Sequence, residues 1–376
     1  MTAVEDHVRA EIARRGPLGF AELVAAALYL PGAGFYATGG RAGRRGDFLT
    51  SPEVGPLFGA VVARALDGWW AAAGSPDVFP VVEVGAGPGS LAVAVLAAEP
   101  RCAPSLRYVL VEVSARQRAQ QAERLPLEEP SEAFAPGAEP VVDGAVPDPG
   151  PRRPVVVSLA ESPRLAGPVV VLANELLDNL PFGLAERVAG HWHEVLVGER
   201  GGSFEEVLVP MGAEDGAGLD ALVPDAPDRG RVPLAGSAAA WVREARLLAG
   251  AGGRVVAFDY GRRTAELAAR PWLDWVRTYR GHQRGAHPFD ALGTQDVTCE
   301  VPVDQLPTPA SDRSQAEWLR AHGIEDLVEE GRRVWRERAA IGDLAALRAR
   351  SRLTEAAALT DPEGLGAFRV LEWRGR

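Results

Sequence analysis

The sequence predicts an α/β protein with a doubly wound, mostly parallel sheet, and three observations carry that prediction. The first is Val81-Val82-Glu83-Val84-Gly85-Ala86-Gly87-Pro88-Gly89-Ser90, an apolar run that turns through alternating glycines into a helix-forming stretch at 91–98. A strand that turns sharply into a helix through glycines brings a ligand against the backbone. The second is a series of short apolar runs ending near polar residues, at 106–112, 154–159, 169–173 and 254–261, with helical patterns among them. The third is 367–374, where apolar and polar residues alternate as in a closing antiparallel strand.

The glycine turn narrows the ligand. Alternating glycines remove side chains and allow backbone angles closed to other residues, and the following helix offers unpaired N–H groups. The acid lies inside the strand end, at Glu83. A dinucleotide fingerprint needs Gly-x-Gly-x-x-Gly beneath its pyrophosphate, and the sixth place here is Ser90. S-adenosylmethionine has no phosphate; it brings a sulfonium and an ammonium, which acids near the strand ends balance. The order of acid then Gly-x-Gly-x-Gly suits that cofactor better.

Composition bounds the rest. A chain of 376 residues is one large domain with an insertion, or two domains. Hydrophobic content of 47% and charged content of 24% are those of a globular protein. A net charge of −11 argues against nucleic-acid partners, which require Lys/Arg clusters. Cys102 and Cys299 sit in no CxxC or Cys/His cluster, so neither a metal nor a disulfide framework is expected. All 40 basic residues are arginines, which excludes a Schiff-base lysine and a Walker lysine. The opening Met1-Thr2-Ala3-Val4-Glu5-Asp6-His7 is too polar for a signal peptide, and no uncharged apolar run approaches a membrane span. A cytoplasmic protein with no membrane partner is the expectation.

In order, 4–14 and 20–30 read as helices, the first ended by Gly16-Pro17. A glycine-rich stretch then leads through Gly46-Asp47-Phe48-Leu49-Thr50-Ser51-Pro52-Glu53, with Ser51 as N-cap and Pro52 opening a helix to Trp70. That stretch is either a lid or a surface connection. Glu112 falls 27 positions after Gly85, at the end of the next strand, where an acid binds both ribose hydroxyls of an adenosine ligand. Its alternative role is to complement the N-terminus of a helix at 114–124. Residues 125–153 read as a surface excursion. The run at 169–173 empties into Asn174-Glu175-Leu176-Leu177-Asp178-Asn179-Leu180-Pro181, which places Asn174, Glu175 and Asp178 by the same crevice as the glycine turn. A hairpin around Gly201-Gly202 reads as an insertion, with His191 and His193 on one exposed strand face. Helices follow at 238–249, 315–322 and 324–349. The expected organisation is 1–80, an N-terminal helical segment and lid loop; 81–182, the first part of the cofactor domain; 183–236, an inserted acceptor-side subdomain; and 237–376, the remainder.

Taken together, these stretches resemble the MidA-type methyltransferases, a family that includes a mitochondrial protein arginine methyltransferase needed for complex I assembly. The resemblance rests on Gly46 to Glu53 with Phe58-Gly59, Glu83 to Gly89, Val111-Glu112-Val113-Ser114, Leu172 to Pro181, Phe258-Asp259-Tyr260-Gly261, Tyr279-Arg280-Gly281-His282 and Gly293-Thr294-Gln295-Asp296-Val297-Thr298. It implies a class I methyltransferase-like fold with seven strands, S-adenosyl-L-methionine as cofactor and S-adenosyl-L-homocysteine as product. The expected cofactor-binding set is Gly46, Thr50, Ser51, Pro52, Glu53, Glu83, Gly85, Ala86, Gly87, Gly89, Glu112, Val113, Ser158, Leu159, Asn174 and Glu175. One departure is Asn179, where the family usually has alanine.

Methyl transfer from a sulfonium is an in-line displacement that needs alignment and charge balance. If the acceptor is a protein arginine, its guanidinium is gripped by carboxylates. Glu175 and Asp178, on one helical face, or Glu175 with Asp47, are the catalytic candidates. Two other classes stay open: a cofactor-binding assembly factor without catalysis, and a small-molecule methyltransferase whose pocket uses Trp192, Trp272 or Trp275. A homodimer is one option for the oligomeric state. A nicotinamide oxidoreductase fails on Ser90.

Overall fold

Short β-branched runs such as Val-Val-Glu-Val, Tyr-Val-Leu-Val and Val-Val-Val-Ser extend because branched side chains pack well on a pleated surface. The computed structural model of the chain describes residues 2–38, 50–130, 153–165, 167–280 and 283–376. They divide into two compact units. The glycine-turn unit comprises Leu49–Glu175, Ala245–Asp259 and Pro309–Arg376; the hairpin unit comprises Met1–Phe48, Leu176–Glu244 and Tyr260–Thr308.

The glycine-turn unit holds a seven-stranded sheet. Its strands are β1 (Phe79–Val84), β2 (Leu106–Val111), β3 (Val155–Leu159), β4 (Val170–Asn174), β5 (Arg254–Asp259), β6 (Ser311–Ser314) and β7 (Arg369–Arg374). Their order is β6-β7-β5-β4-β1-β2-β3. Strand β7 pairs antiparallel with both β5 and β6, while the pairings from β5 to β3 are parallel. The sheet is therefore mixed, in an α/β fold. Strands β1 to β5 are buried along most of their length, as expected when both faces are covered. From β1 the chain steps out to β2 and β3 on one side, then restarts at β4 on the other. The gap between the carboxyl ends of β1 and β4 is thus a topological switch point, where open α/β sheets bind ligands. Phe58, Phe258 and Trp318 pack edge-to-face in the core, at 5.3 and 4.9 Å between centroids.

Two helix expectations change here. Thr50, not Ser51, precedes the first helical turn, Ser51–Val54. The chain breaks at Gly55 before the helix Pro56–Ala72. A side chain at Gly55 would lie 2.2 Å from the Glu355 carboxyl carbon, and Glu355 Oε2 accepts the Leu57 N–H at 2.9 Å. A carboxylate from a distant helix thus fills the place a local cap would take. The single helix expected over 324–349 is two, Ile324–Arg338 and Leu344–Leu359, because Asp343 caps the second through the Ala346 N–H.

In the hairpin unit, Thr2 and Glu5 form a capping box at the helix Ala3–Arg15, and Phe20–Tyr29 follows. The strands Leu18–Gly19, His191–Arg200, Gly183–Val188 and Arg231–Leu234 form one antiparallel sheet, with Ser203–Pro210 added to His191–Arg200 across Gly201-Gly202. Val276–Arg280, Gln283–Arg284 and Asp296–Cys299 form a second, three-stranded sheet. Phe20 joins the unit's core, its ring 5.5 Å from Phe182 and 6.1 Å from Phe289. The stretch at 183–236 thus shares one unit with the N-terminal helices and with residues 260–308.

Candidate functional site

The glycine turn begins where β1 ends. Gly85, Gly87 and Gly89 have φ of 70°, 53° and 77°, left-handed angles that glycine adopts without steric cost. The turn keeps its amides to itself. Gly85 and Ala86 both donate to Val111 O at 2.9 and 3.1 Å, Gly89 donates to Ala86 O at 2.9 Å, and Gly87 donates to Glu112 Oε2 at 2.9 Å. A pyrophosphate site needs such amides turned outward. This loop offers close approach instead.

Glu112 follows β2 and is buried. Its Oε1 accepts the Ser114 N–H at 2.8 Å, and its own N–H donates to Leu159 O at 3.0 Å. Burial raises its pKa, while the Ser114 and Gly87 N–H groups pull it back. A carboxylate has about four lone-pair sites, so these two bonds leave acceptor capacity for ribose hydroxyls. Glu83 lies deeper, with its Oε2 accepting from Tyr108 Oη at 2.7 Å. Burial pushes Glu83 up to about 8 against that hydrogen bond, and the Glu112 charge adds to the rise.

Two helix residues outside the expected set, Gln117 and Gln121, complete this wall. Gln121 Nε2 donates to Gly87 O at 2.6 Å, and Ser158 Oγ donates to Gln121 Oε1 at 2.5 Å. Gln117 and Ser114 are buried, and their Oε1 and Oγ have no partner among the described residues. A side chain added at Gly87 would come within 3.6 Å of Gln117 Oε1. The spacing of Gln117 and Gln121, one helical turn apart behind Glu112, was the available signal. Val113 is exposed beside them. A bare-backbone cradle, buried acceptors without partners and the buried Glu112 fit the nucleoside part of S-adenosyl-L-methionine.

At the end of β4, Glu175 adopts φ 51°, uncommon for a non-glycine residue. Its N–H donates to Phe258 O at 2.8 Å. Its Oε1 accepts from the Ser51 N–H at 3.2 Å and from Asn174 Nδ2 at 3.1 Å. Asn174, Glu175 and Ser51 therefore meet, with Thr50 immediately before Ser51 and Pro52 and Glu53 in the same short helical turn. Glu175 and Asp178 share no helical face: the only helix there is the short 3-10 turn Leu177–Asn179, and the left-handed angle at Glu175 keeps it outside. Gly46 and Asp47 lie outside the described residues, as does most of the candidate lid.

Within the hairpin unit, Asp178 and Asp296 are both 1% exposed. Asp178 Oδ2 accepts from Tyr260 Oη at 2.5 Å. Burial raises Asp178 to about 6, and the Tyr260 hydrogen bond opposes the rise. Asp296 accepts from Tyr36 Oη and Asn179 Nδ2 at 3.2 Å and from the Val297 N–H at 2.9 Å. Tyr29 donates to Asn179 O at 3.0 Å and stacks on Tyr36 at 5.6 Å. Asn179 is a buried member of this network. Among the described residues no cluster of His, Cys, Asp or Glu is disposed to hold a metal, and no helix is long and apolar enough to cross a membrane.

Residues 61–321 match the family Methyltransf_28, described as S-adenosyl-L-methionine-dependent methyltransferases. Mouse protein arginine methyltransferase NDUFAF7, mitochondrial, is 28% identical over 81% of this chain and 69% of its own length. The Drosophila melanogaster homologue of that protein is 34% identical over 54% of this chain, an alignment spanning 47% of the fly protein. A COG1565 superfamily protein from Burkholderia thailandensis, solved with S-adenosyl-homocysteine bound, has a TM-score of 0.76 at 26% identity, covering 98% of this chain and 91% of its own. The expectation of a cytoplasmic protein is overturned, because the relatives in mouse, fly and zebrafish are named as mitochondrial proteins.

Proposed function

The chain belongs to a family of S-adenosyl-L-methionine-dependent methyltransferases, and we propose that its acceptor is the guanidinium of an arginine in a protein. The observation that carries this reading is Glu175, a half-buried carboxylate at the switch point, held at a left-handed φ of 51°. Such a conformation costs on the order of 1 kcal/mol or more and persists where surrounding contacts over-determine it. Here Ser51, Asn174 and Phe258 do so. The relatives named protein arginine methyltransferases support the choice of acceptor. The strand order, with one reversed strand, supports the doubly wound class I reading of the sheet.

The bound cofactor supplies a methyl group on a sulfonium, which leaves as a neutral thioether. This chain supplies alignment and charge. Glu112 would accept hydrogen bonds from the ribose hydroxyls, Gln117 and Ser114 would offer their buried acceptors, and Val113 belongs to the residues that would hold the cofactor. Glu175 pairs with the guanidinium, which stays charged because its pKa exceeds about 12. A carboxylate directs one nitrogen at the methyl group and offsets the charge that builds there. Asp178, three residues further along the chain, is the second acid on sequence proximity alone. Its raised pKa suits it to receive the proton shed by the methylated nitrogen.

The test is transfer of labelled methyl from S-adenosyl-L-methionine into a lysate of the host, followed by acid hydrolysis and mass spectrometry. Methylarginine is the expected product, and its formation falls by about a hundredfold with Glu175→Gln. Label confined to small molecules, or to lysine or carboxylate side chains, overturns the acceptor assignment.

A further inference from the structure

The glycine turn and Glu175 occupy the carboxyl ends of the central strands, and the amino ends of the same strands frame a separate cavity. Phe79, Val170 and Arg254, which open or lie at the start of β1, β4 and β5, enclose ≈ 340 Å³ together with Trp69, Ala73 and Pro168. That volume lies in the range of small-molecule sites. Arg254 is its cationic lining residue. Its guanidinium lies over the Trp69 ring, 4.6 Å from the centroid.

Arg254 is half-buried, yet among the described residues its guanidinium makes no hydrogen bond or ion pair. Burial lowers its pKa; Glu372 raises it and Arg374 lowers it further. Glu372 is already engaged, by Arg313 at 2.5 Å and by Trp318 Nε1 at 3.2 Å. Arg374 stands directly opposite Arg254 across the β5–β7 pair, so the two side chains leave the same face of the sheet. Arg374 also lacks an acid partner among the described residues. Like charges directly opposite are destabilising, and a buried charge without a counter-ion is costly. Of the pair, Arg254 lines an apolar cavity floored by tryptophan.

We propose that this cavity binds a small aromatic anion, its flat apolar body against Trp69 and its carboxylate or phosphate on Arg254. The guanidinium fork matches both oxyanions bidentately while its face stays on the ring. The site is independent of the cofactor site and of the choice of methyl acceptor.

The test is isothermal titration of the full chain with 2-naphthoate, 2-naphthyl phosphate and neutral 2-naphthol, with the cofactor site saturated by S-adenosyl-homocysteine. At least one anion is expected to bind one-to-one and at least tenfold more tightly than 2-naphthol. Which anion binds better identifies the oxyanion. Arg254→Gln weakens that anion at least tenfold, Arg254→Lys restores part of the loss, and Ala73→Trp, at an exposed lining position, abolishes binding. The melting temperature and S-adenosyl-homocysteine affinity of each variant check the fold. Equal affinity for 2-naphthol and both anions, unchanged affinity in a folded Arg254→Gln, or no saturation below about 1 mM overturns the proposal.

Discussion

In the glycine-turn unit, polar groups gather at the ends of adjacent parallel strands. Glu83 and Tyr108, 25 residues apart, meet because β1 and β2 are neighbours, and Glu112 reaches Gly87 because Gly85 and Ala86 hydrogen-bond to the end of β2. In the hairpin unit, the buried acids draw partners from far along the chain. Tyr36 and Asp296 are 260 residues apart, and Tyr260 reaches back 82 residues to Asp178. A site on consecutive strand ends leaves a compact motif, because each strand delivers its residue at the same place in the βα unit. A site closed by distant partners spreads its residues over separate stretches, and Asp178, Tyr260 and Asp296 each lie in a different one.

The largest effect that tests this contrast is at Glu175. Glu175→Gln should lower methyl transfer by about a hundredfold, since aligned charged groups near a reacting centre contribute on that scale. Binding of S-adenosyl-homocysteine, followed by calorimetry, should change less than threefold. A parallel loss of both would assign Glu175 to the cofactor alone. Next comes Tyr260→Phe. Removing a hydrogen bond to a charged group costs about 1.5 kcal/mol or more, roughly tenfold in rate. The sign with pH is definite. Asp178 is needed as carboxylate, so activity falls as pH drops through about 6. Tyr260 holds that pKa down, so the acidic limb of the kcat profile moves to higher pH in the variant. An unshifted limb would remove Asp178 from the reaction.

The smallest effect is on stability. Glu83 has a folded pKa raised to about 8 from 4.5. Its contribution is fully present below about pH 4.5 and is lost as pH rises through about 8. Glu83→Gln keeps an acceptor for Tyr108 and removes the titration. Its melting temperature should exceed that of the parent by a few degrees at pH 8.5 and converge with it at pH 5. The same pH slope in both proteins would mean that Glu83 is not the buried acid that charges.

Most of the residues around the glycine turn were legible in the sequence. Glu83, the three glycines, Glu112 and Asn174-Glu175 sit at apolar-run ends, and hydrophobic periodicity locates such ends. Gln117, Gln121 and Tyr108 were not singled out, because a glutamine on a polar helix face or a tyrosine in a strand has many commoner uses. The break at Gly55 was not legible because the carboxylate that serves the next helix, Glu355, lies some 300 residues away. The left-handed angle at Glu175 was equally invisible, since glutamate has no preference for it.

The sequence alone determined the alternation of strand and helix, the glycine turn and the acids at the strand ends. These are local matters of periodicity, backbone freedom and burial. Only the tertiary structure decided which acids are buried, which hydroxyls hold Asp178 and Asp296, and that Arg254 stacks on Trp69 beside a cavity. Those outcomes depend on contacts between residues far apart in the chain, where desolvation and packing are properties of the assembled neighbourhood rather than of any single stretch.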